Sequence, residues 1–382
     1  MGHPSTDVLM FVEDSGAANY VAPLPAALTE SGWSTTLLGA GSAREYLRER
    51  AVCTIEVTCT TTAEQVLTAL HPRLLVVGTS ENPQTLGLEL ILQARQRGID
   101  SVGVVDLQAH ADHGFRGRST TALTYAPDWL VVPDAWTQDA YARLGYPPQQ
   151  TVICGHPHYD RVRAIGEHLA QEERTALRRR VLPGALANRP VVVFLAEVST
   201  GLNPHQSQRS VTYTFRGRGT STDRTAVVLE EFLDAVALLR PRPYLVLRLH
   251  PKNSMDEFMA YLPAFDTVSH GGMPYELVCA ADLVVGMTTT LLFEATLMGC
   301  PTLSILPRAV EQTWLPGLQA GLIPYVTTRV ALRKTLRAFW QQPRLLRPPD
   351  LSNVYVRNAL TRTVAFLQQR LRSTLDGRPQ AA

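Results

Sequence analysis

Apolar and polar positions along the first 160 residues alternate between short apolar runs and longer amphipathic stretches. The runs LLVVG and SVGVVD are apolar without the every-second-residue alternation of a half-buried strand. Strands covered by helices on both faces have this pattern, so it predicts a parallel sheet built from successive βα units. The predicted strands are Asp7–Val12, Ser34–Leu38, Cys53–Thr58, Leu74–Gly78, Ser101–Asp106, Trp129–Pro133 and Thr151–Cys154. Helical periodicity predicts helices at Asn19–Ser31, Ala63–Leu70, Leu86–Arg97 and Trp136–Leu144.

A second alternation of apolar runs and helical periodicity begins at Pro190. Its predicted strands are Pro190–Ala196, Tyr244–Leu249, Asp266–Ser269, Leu283–Gly286 and Thr302–Leu306, and its predicted helices are Ala226–Leu239 and Leu291–Met298. Two successive parallel-sheet units predict an α/β protein with two Rossmann-like domains. The predicted limits are 1–165 for the first domain, 166–189 for a charged linker, 190–350 for the second domain and 351–382 for a C-terminal helix that crosses back to the first domain.

The balance of charges excludes one class of partner. The 382 residues include 36 basic and 34 acidic side chains, a formal net charge of +2, which is too even to attract a nucleic-acid backbone strongly. No run approaches the roughly 18 apolar residues of a membrane span, and no basic stretch followed by an apolar run begins the chain. We therefore predict a cytoplasmic protein that neither binds nucleic acid nor inserts stably into a membrane. Its five cysteines lack Cys-x-x-Cys spacing and predict buried apolar residues rather than a zinc site.

The strongest chemical signal is a run of hydroxyl residues between a predicted buried strand and a predicted helix: Thr288, Thr289 and Thr290. The free N–H groups and the dipole of a helix start bind anions, and threonine hydroxyls add donors without adding charge. Glu294 lies one turn inside the same helix, where its carboxylate could accept hydrogen bonds from a ribose diol. The alternative is structural: Thr288 caps the helix and Glu294 complements its dipole.

A second signal follows the predicted strand at Tyr244–Leu249. Arg248, His250 and Lys252 lie at its carboxyl end, with a rigid proline between the histidine and the lysine. Open α/β sheets bind ligands at that edge. Lys252 is one of only two lysines in the chain, the other being Lys334. These groups could bind a phosphate, and the alternative is an exposed turn with solvated cations.

The third signal is an acidic loop after the first predicted strand. Glu13 and Asp14 precede Ser15 and lead to a helix that contains Asn19. Adjacent carboxylates repel each other, and this repulsion raises one pKa towards the range of a general base for a hydroxyl acceptor. Alternatively, Asp14 or Ser15 is a helix N-cap. The loop lacks the G-x-G-x-x-G fingerprint, which disfavours a nicotinamide enzyme.

The fourth signal is the segment Asp106–Arg116, which again follows a predicted strand. It contains His110 and His113 with Asp106 and Asp112. The histidine spacing permits a metal site but lacks the H-E-x-x-H pattern, so metal binding is disfavoured. Acceptor binding or acid–base work and an ordinary loop structure remain as alternatives.

With these residues in place, the sequence resembles the GT-B-type glycosyltransferases, in the superfamily that also contains UDP-N-acetylglucosamine 2-epimerases and CDP-glycerol glycerophosphotransferases. The matching motifs are Tyr275-Glu276-Leu277, Ala281-Asp282, Met287-Thr288-Thr289-Thr290, Glu294-Ala295 and Gly299-Cys300-Pro301. In those proteins the hydroxyl-rich turn binds nucleotide phosphates and the glutamate commonly holds ribose. The resemblance implies a GT-B fold, with two Rossmann-like domains facing each other across a cleft.

Two further segments resemble subsets of this superfamily. Residues 248–252 are similar to the His-Pro motif of bacterial sialyltransferases and Kdo transferases, which use CMP-sugars, and to that of CDP-glycerol transferases. Residues 13–16 are similar to the acidic motif of the sialyltransferases, in which the second acid is the base, although a serine is interposed here. The Arg-Pro-Glu turn and the Gly-Ser-Gly-Gly helix start of the epimerases are both absent, which favours sugar transfer over epimerisation.

The residues and the resemblance together predict a metal-independent glycosyltransferase. It would move a sugar from a CMP-, CDP- or UDP-linked donor, its only co-substrate, to a hydroxyl on a small molecule or glycan, without a further cofactor. The predicted catalytic residues are Glu13, Asp14, His110 and His250, with Asp14 or else His110 as the base. The predicted substrate-binding residues are Asn19, Asp106, His113, Arg116, Arg248, Lys252, Tyr275, Thr288, Thr289, Thr290 and Glu294.

Two other functions remain open from the sequence. One is a 2-epimerase or sugar-nucleotide hydrolase, and the other is a nucleotide-binding protein without catalytic activity. Whether the chain forms a homodimer is also open.

Overall fold

A computed structural model describes residues 6–109, 111–185, 189–198, 207–346 and 355–376. The chain divides into two compact units. Unit 1 comprises the described residues of 1–160 and 355–382, and unit 2 comprises those of 161–354. No helix in the described ranges combines the length and apolar character needed to cross a membrane.

Unit 1 is built on a seven-stranded parallel sheet, which we call sheet A. Its strands are β1 Val8–Val12, β2 Thr35–Gly39, β3 Ile55–Glu56, β4 Leu74–Gly78, β5 Asp100–Val104, β6 Trp129–Val132 and β7 Thr151–Ile153. Their order across the sheet is β3-β2-β1-β4-β5-β6-β7. The order therefore reverses between β1 and β4, which are neighbours in the sheet although two strands separate them along the chain.

Strand β1 shows why the apolar runs do not alternate. Successive side chains of a strand point to opposite faces of the sheet. Val8 and Met10 belong to an apolar cluster on one face, and Leu9 and Phe11 belong to a cluster on the other. Because both faces are covered, every residue of β1 is buried.

The helices of unit 1 are α1 Ser15–Val21, α2 Leu24–Glu30, α3 Gly41–Arg48, α4 Ala63–Leu70, α5 Leu86–Gln96 and α6 Ala135–Arg143. The single helix predicted at Asn19–Ser31 is wrong, because the structure divides this stretch between α1 and α2. Pro23 immediately precedes α2 and Pro25 lies in its first turn. A proline has no N–H to donate and its ring clashes with the preceding turn, so one helix cannot continue through both.

Unit 2 is built on a six-stranded parallel sheet, sheet B. Its strands are β8 Val191–Leu195, β9 Tyr244–Arg248, β10 Thr267–Ser269, β11 Leu283–Gly286, β12 Thr302–Ile305 and β13 Tyr325–Val326, in the order β10-β9-β8-β11-β12-β13. The strand order reverses between β8 and β11. The helix α7 Pro157–Leu169 begins in unit 1 and ends in unit 2, where the other helices are α8 Arg174–Val181, α9 Arg224–Val236, α10 Tyr275–Ala280, α11 Thr290–Leu297, α12 Pro316–Gln319 and α13 Arg329–Gln341.

The segment predicted as a linker, 166–189, contains the end of α7 and all of α8. Helix α8 packs against α10. The Arg178 guanidinium lies 2.5 Å from the Asp282 carboxylate and also donates to the Ala280 carbonyl at 2.8 Å. These contacts make α8 an integral part of unit 2.

The C-terminal helix α14 Ala359–Asp376 belongs to unit 1. The hydroxyls of Tyr20 and Thr363 lie 3.0 Å apart, and both side chains are buried. The rings of Trp129 and Phe366 pack edge to face with centroids 5.7 Å apart. The last described part of the chain therefore contributes to the core of the unit that contains the first.

A buried histidine lies close to Tyr20. His156 is 4% exposed, and its ring centroid lies 4.7 Å from that of Tyr20 and 4.5 Å from that of Tyr159. His156 Nδ1 accepts a hydrogen bond from the His158 N–H at 3.2 Å. Burial, together with His158, holds the pKa of His156 well below its usual value of 6.5, so the native imidazole is neutral.

We expect His156 to make the protein less stable in mild acid. Below about pH 6.5 the unfolded chain binds a proton at this residue and the native state does not, so the free energy of unfolding falls by up to about 1.4 kcal/mol per pH unit. In His156→Gln, urea denaturation measured from about pH 5 to 7 should show a shallower pH dependence than the wild type. The same substitution at the exposed His168 is the control, and equal slopes for wild type and His156→Gln would contradict the assignment.

Candidate functional site

The carboxyl end of sheet A gathers residues from three neighbouring strands. Glu13 and Asp14 follow β1, Thr79 follows β4 and Asp106 lies just beyond β5. Open α/β sheets bind ligands where the strand order reverses, which in this sheet is between β1 and β4. A Cβ atom added to Gly16 would lie 2.0 Å from Asp106 Oδ2. The glycine therefore allows Asp106 to approach the acidic loop closely.

The environment of Asp106 suits acid–base chemistry. Its pKa is raised to about 6, mainly by burial and also by the charge of Asp14, against the opposing effect of the Thr79 hydroxyl. That hydroxyl donates to Asp106 Oδ1 at 3.3 Å. A group with such a pKa exchanges protons readily near neutral pH. The sequence predicted Asp106 only as a binding residue.

The two carboxylates after β1 are held by the loop after β4. Asp14 Oδ2 accepts a hydrogen bond from the Glu81 N–H at 2.9 Å, and Glu13 Oε1 accepts one from Asn82 Nδ2 at 2.7 Å. The other carboxylate oxygen, Glu13 Oε2, is buried and has no hydrogen-bond partner among the described residues. Asp14 occupies the N-cap position of α1, but its side chain accepts no bond from the first turn of the helix. Its carboxylate therefore does not act as the cap that the alternative interpretation required.

The remaining predicted residues of unit 1 lie on the helix after β1 and the loop after β5. Asn19 lies in α1, and its Oδ1 accepts a hydrogen bond from the Tyr46 hydroxyl. The Asp112 carboxylate lies 3.3 Å from His113 Nε2 and 3.7 Å from Arg116 Nη1. The predicted catalytic residue His110 lies outside the described residues.

In sheet B, Arg248 braces the chain beyond β10. Its guanidinium donates to the Ser269 hydroxyl at 2.9 Å and to the Gly272 carbonyl at 2.8 Å, and the residue is 7% exposed. The sequence predicted that Arg248 would stabilise ligand charge. Its described hydrogen bonds instead position the turn before α10.

The loop 250–257 orients His250. The backbone N–H of Lys252 donates to His250 Nδ1 at 3.1 Å, which leaves Nε2 to carry the proton. Burial lowers the pKa of His250, and the nearby Glu197 carboxylate opposes this shift. Asn253 Oδ1 accepts from the His250 N–H at 3.1 Å and fixes the loop from its other side. His250 is thus prepared as a neutral hydrogen-bond donor.

A buried charge cluster lies beyond the carboxyl ends of β8 and β11. Arg224 Nη1 donates to Glu197 Oε2 at 2.7 Å, and Arg224 Nε donates to Glu311 Oε2 at 3.0 Å. Arg308 Nε donates to Glu311 Oε1 at 2.7 Å. Arg224 and Glu311 are fully buried, and Glu197 is 8% exposed. We call these four residues the Arg224 cluster. None of them was predicted from the sequence, because Arg224 contacts partners 27 and 87 residues away, which no local motif joins.

The Arg224 cluster changes the interpretation of the threonine turn. The Thr288 N–H donates to Glu197 Oε1, and the Thr288 hydroxyl donates to Glu197 Oε2 at 3.1 Å. The donors that the sequence assigned to a ligand phosphate at Thr288 therefore bind a carboxylate of the chain itself. Thr289 is the N-cap of α11 and Thr290 its first residue. Within the described residues the N–H groups of Thr290 and Leu291 have no acceptor, so they remain available to a ligand.

Two other residues predicted to bind substrate are placed by helices of unit 2. Glu294 lies in α11, and its residue exposure is 8%. Tyr275 is the first residue of α10 and is also buried. Helix α10 directly follows the turn that Arg248 braces.

The described part of the chain offers no set of three His, Cys, Asp or Glu residues that could hold a metal ion. A cavity of about 680 Å³ lies in unit 1 between α3 and residues 51–56. None of the predicted site residues lines this cavity, so its size does not make it the functional site.

Comparisons with known proteins identify the fold. No protein-family model matches the sequence, and no curated protein matches it significantly. A UDP-GlcNAc 2-epimerase from Neisseria meningitidis bound to UDP-GlcNAc is similar in structure, with a TM-score of 0.66, 14% identity and coverage of 95% of this chain and 99% of that one. The S. aureus MnaA–UDP structure matches with a TM-score of 0.68, 13% identity and coverage of 99% and 100%.

A glycosyltransferase from Rickettsia africae ESF-5 is also similar, with a TM-score of 0.58, 11% identity and coverage of 98% of both chains. At these identities the likeness establishes the fold alone. The protein has the GT-B-like fold, with two Rossmann-like parallel-sheet domains, which confirms the predicted fold class.

We expect Asp106→Asn to stabilise the protein above about pH 6. Because the pKa of Asp106 is raised from 3.8 to about 6, the favourable contribution of its protonated form is lost as the pH rises through that window. The asparagine of the variant does not ionise, so the variant keeps its stability as the pH rises. Its free energy of unfolding should therefore exceed that of the wild type by up to about 3 kcal/mol at neutral pH. Denaturant titration at several pH values should show the difference closing towards pH 4. Asp139→Asn, at an exposed carboxylate of α6, should show no such gain, and a destabilised Asp106→Asn protein would refute the assignment.

Proposed function

We propose that the protein is a nucleotide-sugar-dependent glycosyltransferase in which unit 2 binds the nucleotide and unit 1 supplies the general base. The proposal rests on the position of the Asp106 carboxyl, which accepts from the Thr79 hydroxyl and closely approaches Gly16 of the acidic loop after β1. Burial and the charge of Asp14 raise its pKa to about 6 in this position. Similarly folded proteins support the nucleotide-sugar class, since their structures include complexes with UDP-GlcNAc, UDP and UDP-glucose.

In this proposal Asp106 accepts the proton of the acceptor hydroxyl as the new glycosidic bond forms. The Asp14 carboxylate is bound to the Glu81 N–H, and its charge raises the pKa of Asp106, which makes Asp106 a stronger base. Asp106 thus takes the role that the sequence gave to Asp14. The Thr79 hydroxyl orients the Asp106 carboxylate through the bond to Oδ1.

The nucleotide side of the reaction uses donors at the carboxyl edge of sheet B. His250 Nε2–H, the Lys252 ammonium and the free N–H groups of Thr290 and Leu291 would bind the phosphate. They would stabilise the negative charge that develops on the leaving nucleotide when the bond to the sugar breaks. Fixed donors aimed at developing charge are each worth about 3 kcal/mol of transition-state stabilisation.

A 2-epimerase is the second candidate, because several of the similar structures are UDP-GlcNAc 2-epimerases. In that reaction a carboxylate such as Asp106 would remove a proton from the sugar rather than from an acceptor. The two reactions differ in isotope exchange. Incubation of UDP-GlcNAc in D₂O without acceptor would place deuterium at C2 of the sugar if the protein is an epimerase, and a transferase would leave C2 unlabelled.

Lys252→Ala should weaken nucleotide binding. Loss of a charged donor to phosphate costs about 1.5–3 kcal/mol, which corresponds to roughly a 10- to 100-fold increase in Kd. Isothermal titration with CMP, CDP, UMP and UDP would measure the change. Lys334→Ala is a matched control, because Lys334 is the other lysine and is exposed on α13. Equal affinities for the two variants would exclude Lys252 from the site.

Asp106→Asn should abolish most turnover while it preserves nucleotide affinity. A positioned general base contributes about 10²- to 10⁴-fold. For the wild type, kcat/KM should rise with pH up to about 6 and then level off, because Asp106 must be ionised to accept a proton. Release of nucleotide from CMP-, CDP- and UDP-sugars in the presence of acceptor mixtures is the measurement. A fully active Asp106→Asn enzyme would contradict its role as the base.

A further inference from the structure

The Arg224 cluster limits the positive charge that sheet B can offer a ligand. Arg224 is fully buried and its guanidinium contacts both Glu197 and Glu311. Arg308 contacts the second oxygen of Glu311. Two arginines and two glutamates sum to zero formal charge. The cluster is therefore neutral by itself, although it contains two cations.

The other arginine at this edge is also engaged. The Arg248 side chain bonds to the Ser269 hydroxyl and to carbonyls of the following turn. Lys252, by contrast, is exposed, and its described hydrogen bond is made by the backbone N–H rather than the ammonium. Among Arg224, Arg248, Arg308 and Lys252, Lys252 is thus the one whose charge is available to a ligand.

Glu197 also occupies the donors of Thr288, the residue that the sequence predicted to bind a ligand phosphate. Both carboxylate oxygens accept from Thr288, one from its N–H and the other from its hydroxyl. The negative charge of Glu197 also raises the pKa of His250, against the larger lowering effect of burial. A second phosphate group in this region could not accept hydrogen bonds from Thr288, and the negative charge of Glu197 would repel it.

We propose that Glu197 is a specificity-determining residue that selects nucleotide sugars linked through a single phosphate over those linked through a diphosphate. A phosphodiester carries one negative charge, which the Lys252 ammonium neutralises. A diphosphate diester carries two charges, and the described arginines at this edge, Arg224, Arg308 and Arg248, are already engaged and do not neutralise the second one. This inference rests on the proposed function, since it names the donor class of the same site.

Titration calorimetry with matched nucleotides tests the proposal. The wild type should bind CMP at least as tightly as CDP, and UMP at least as tightly as UDP. The ratio of the two Kd values within each pair compares one phosphate with two, because both nucleotides of a pair carry the same base. Glu197→Gln removes the competing negative charge and frees donors of Arg224 and Thr288. We expect this variant to shift each ratio towards the diphosphate by about tenfold or more, the size of one charge-assisted hydrogen bond.

Glu311→Gln is the matched control. It removes the same charge from the same arginine, but Glu311 does not contact Thr288 in the described structure. Because Glu311→Gln also leaves the cluster with an excess positive charge but keeps Thr288 bound to Glu197, its ratios should shift towards the diphosphate less than those of Glu197→Gln. Glu197→Asp retains the charge and should preserve the wild-type preference. Thermal melting with circular dichroism would show that each variant is folded before its affinities are compared.

The outcomes separate this inference from the proposed function. A wild type that binds the diphosphates more tightly than the monophosphates, or a folded Glu197→Gln protein with unchanged ratios, overturns the role of Glu197 even if the protein transfers sugar. If the ratios behave as expected but no nucleotide sugar is turned over, the transferase proposal fails and the selectivity of Glu197 stands. Absence of binding by the wild type and Glu197→Gln to all four nucleotides would overturn both.

Discussion

The fully buried guanidinium of Arg224 is the constraint on which the candidate site of unit 2 depends. A buried charge is tolerated only when it is paired and hydrogen-bonded. Arg224 meets this requirement through Glu197 and Glu311, and the requirement holds Glu197 at the end of β8. From there Glu197 binds Thr288 at the end of the adjacent strand β11. The need to satisfy one buried cation thus decides which donors beside α11 remain for a ligand.

The carboxylates at the carboxyl edge of sheet A are stabilised differently. There, three carboxylates lie near one another, and those of Asp14 and Glu13 are held by neutral donors from the loop after β4. Burial and the charge of Asp14 raise the pKa of Asp106 there. One unit therefore neutralises its buried charges by pairing, and the other retains a carboxyl that changes protonation near neutral pH. The paired charges of unit 2 suit the selection of an anion, and the Asp106 carboxyl of unit 1 suits proton transfer.

The topology of both sheets explains why these groups converge. In each sheet the strand order reverses between two neighbouring strands, β1 with β4 and β8 with β11. Loops leave such strands in opposite directions and open a space at the carboxyl edge. Asp14 and Thr79 enter that space in sheet A, and Glu197 and Thr288 enter it in sheet B. The segments that carry chemistry are distant in sequence and become neighbours only because the strands pair in this order.

The sequence by itself determined the α/β class, most strand positions and the loops at Glu13–Asp14, Asp106, His250 and Thr288, because strand burial and turn chemistry are local properties. Tertiary structure decided what these residues contact. It bonded the Arg248 side chain to a turn and raised the pKa of Asp106. It also revealed Arg224, Glu197 and Glu311, whose association depends on pairings across 27 and 87 residues. Apolar periodicity specifies which faces are buried, but the partner of a charged side chain depends on distances that only the folded chain sets.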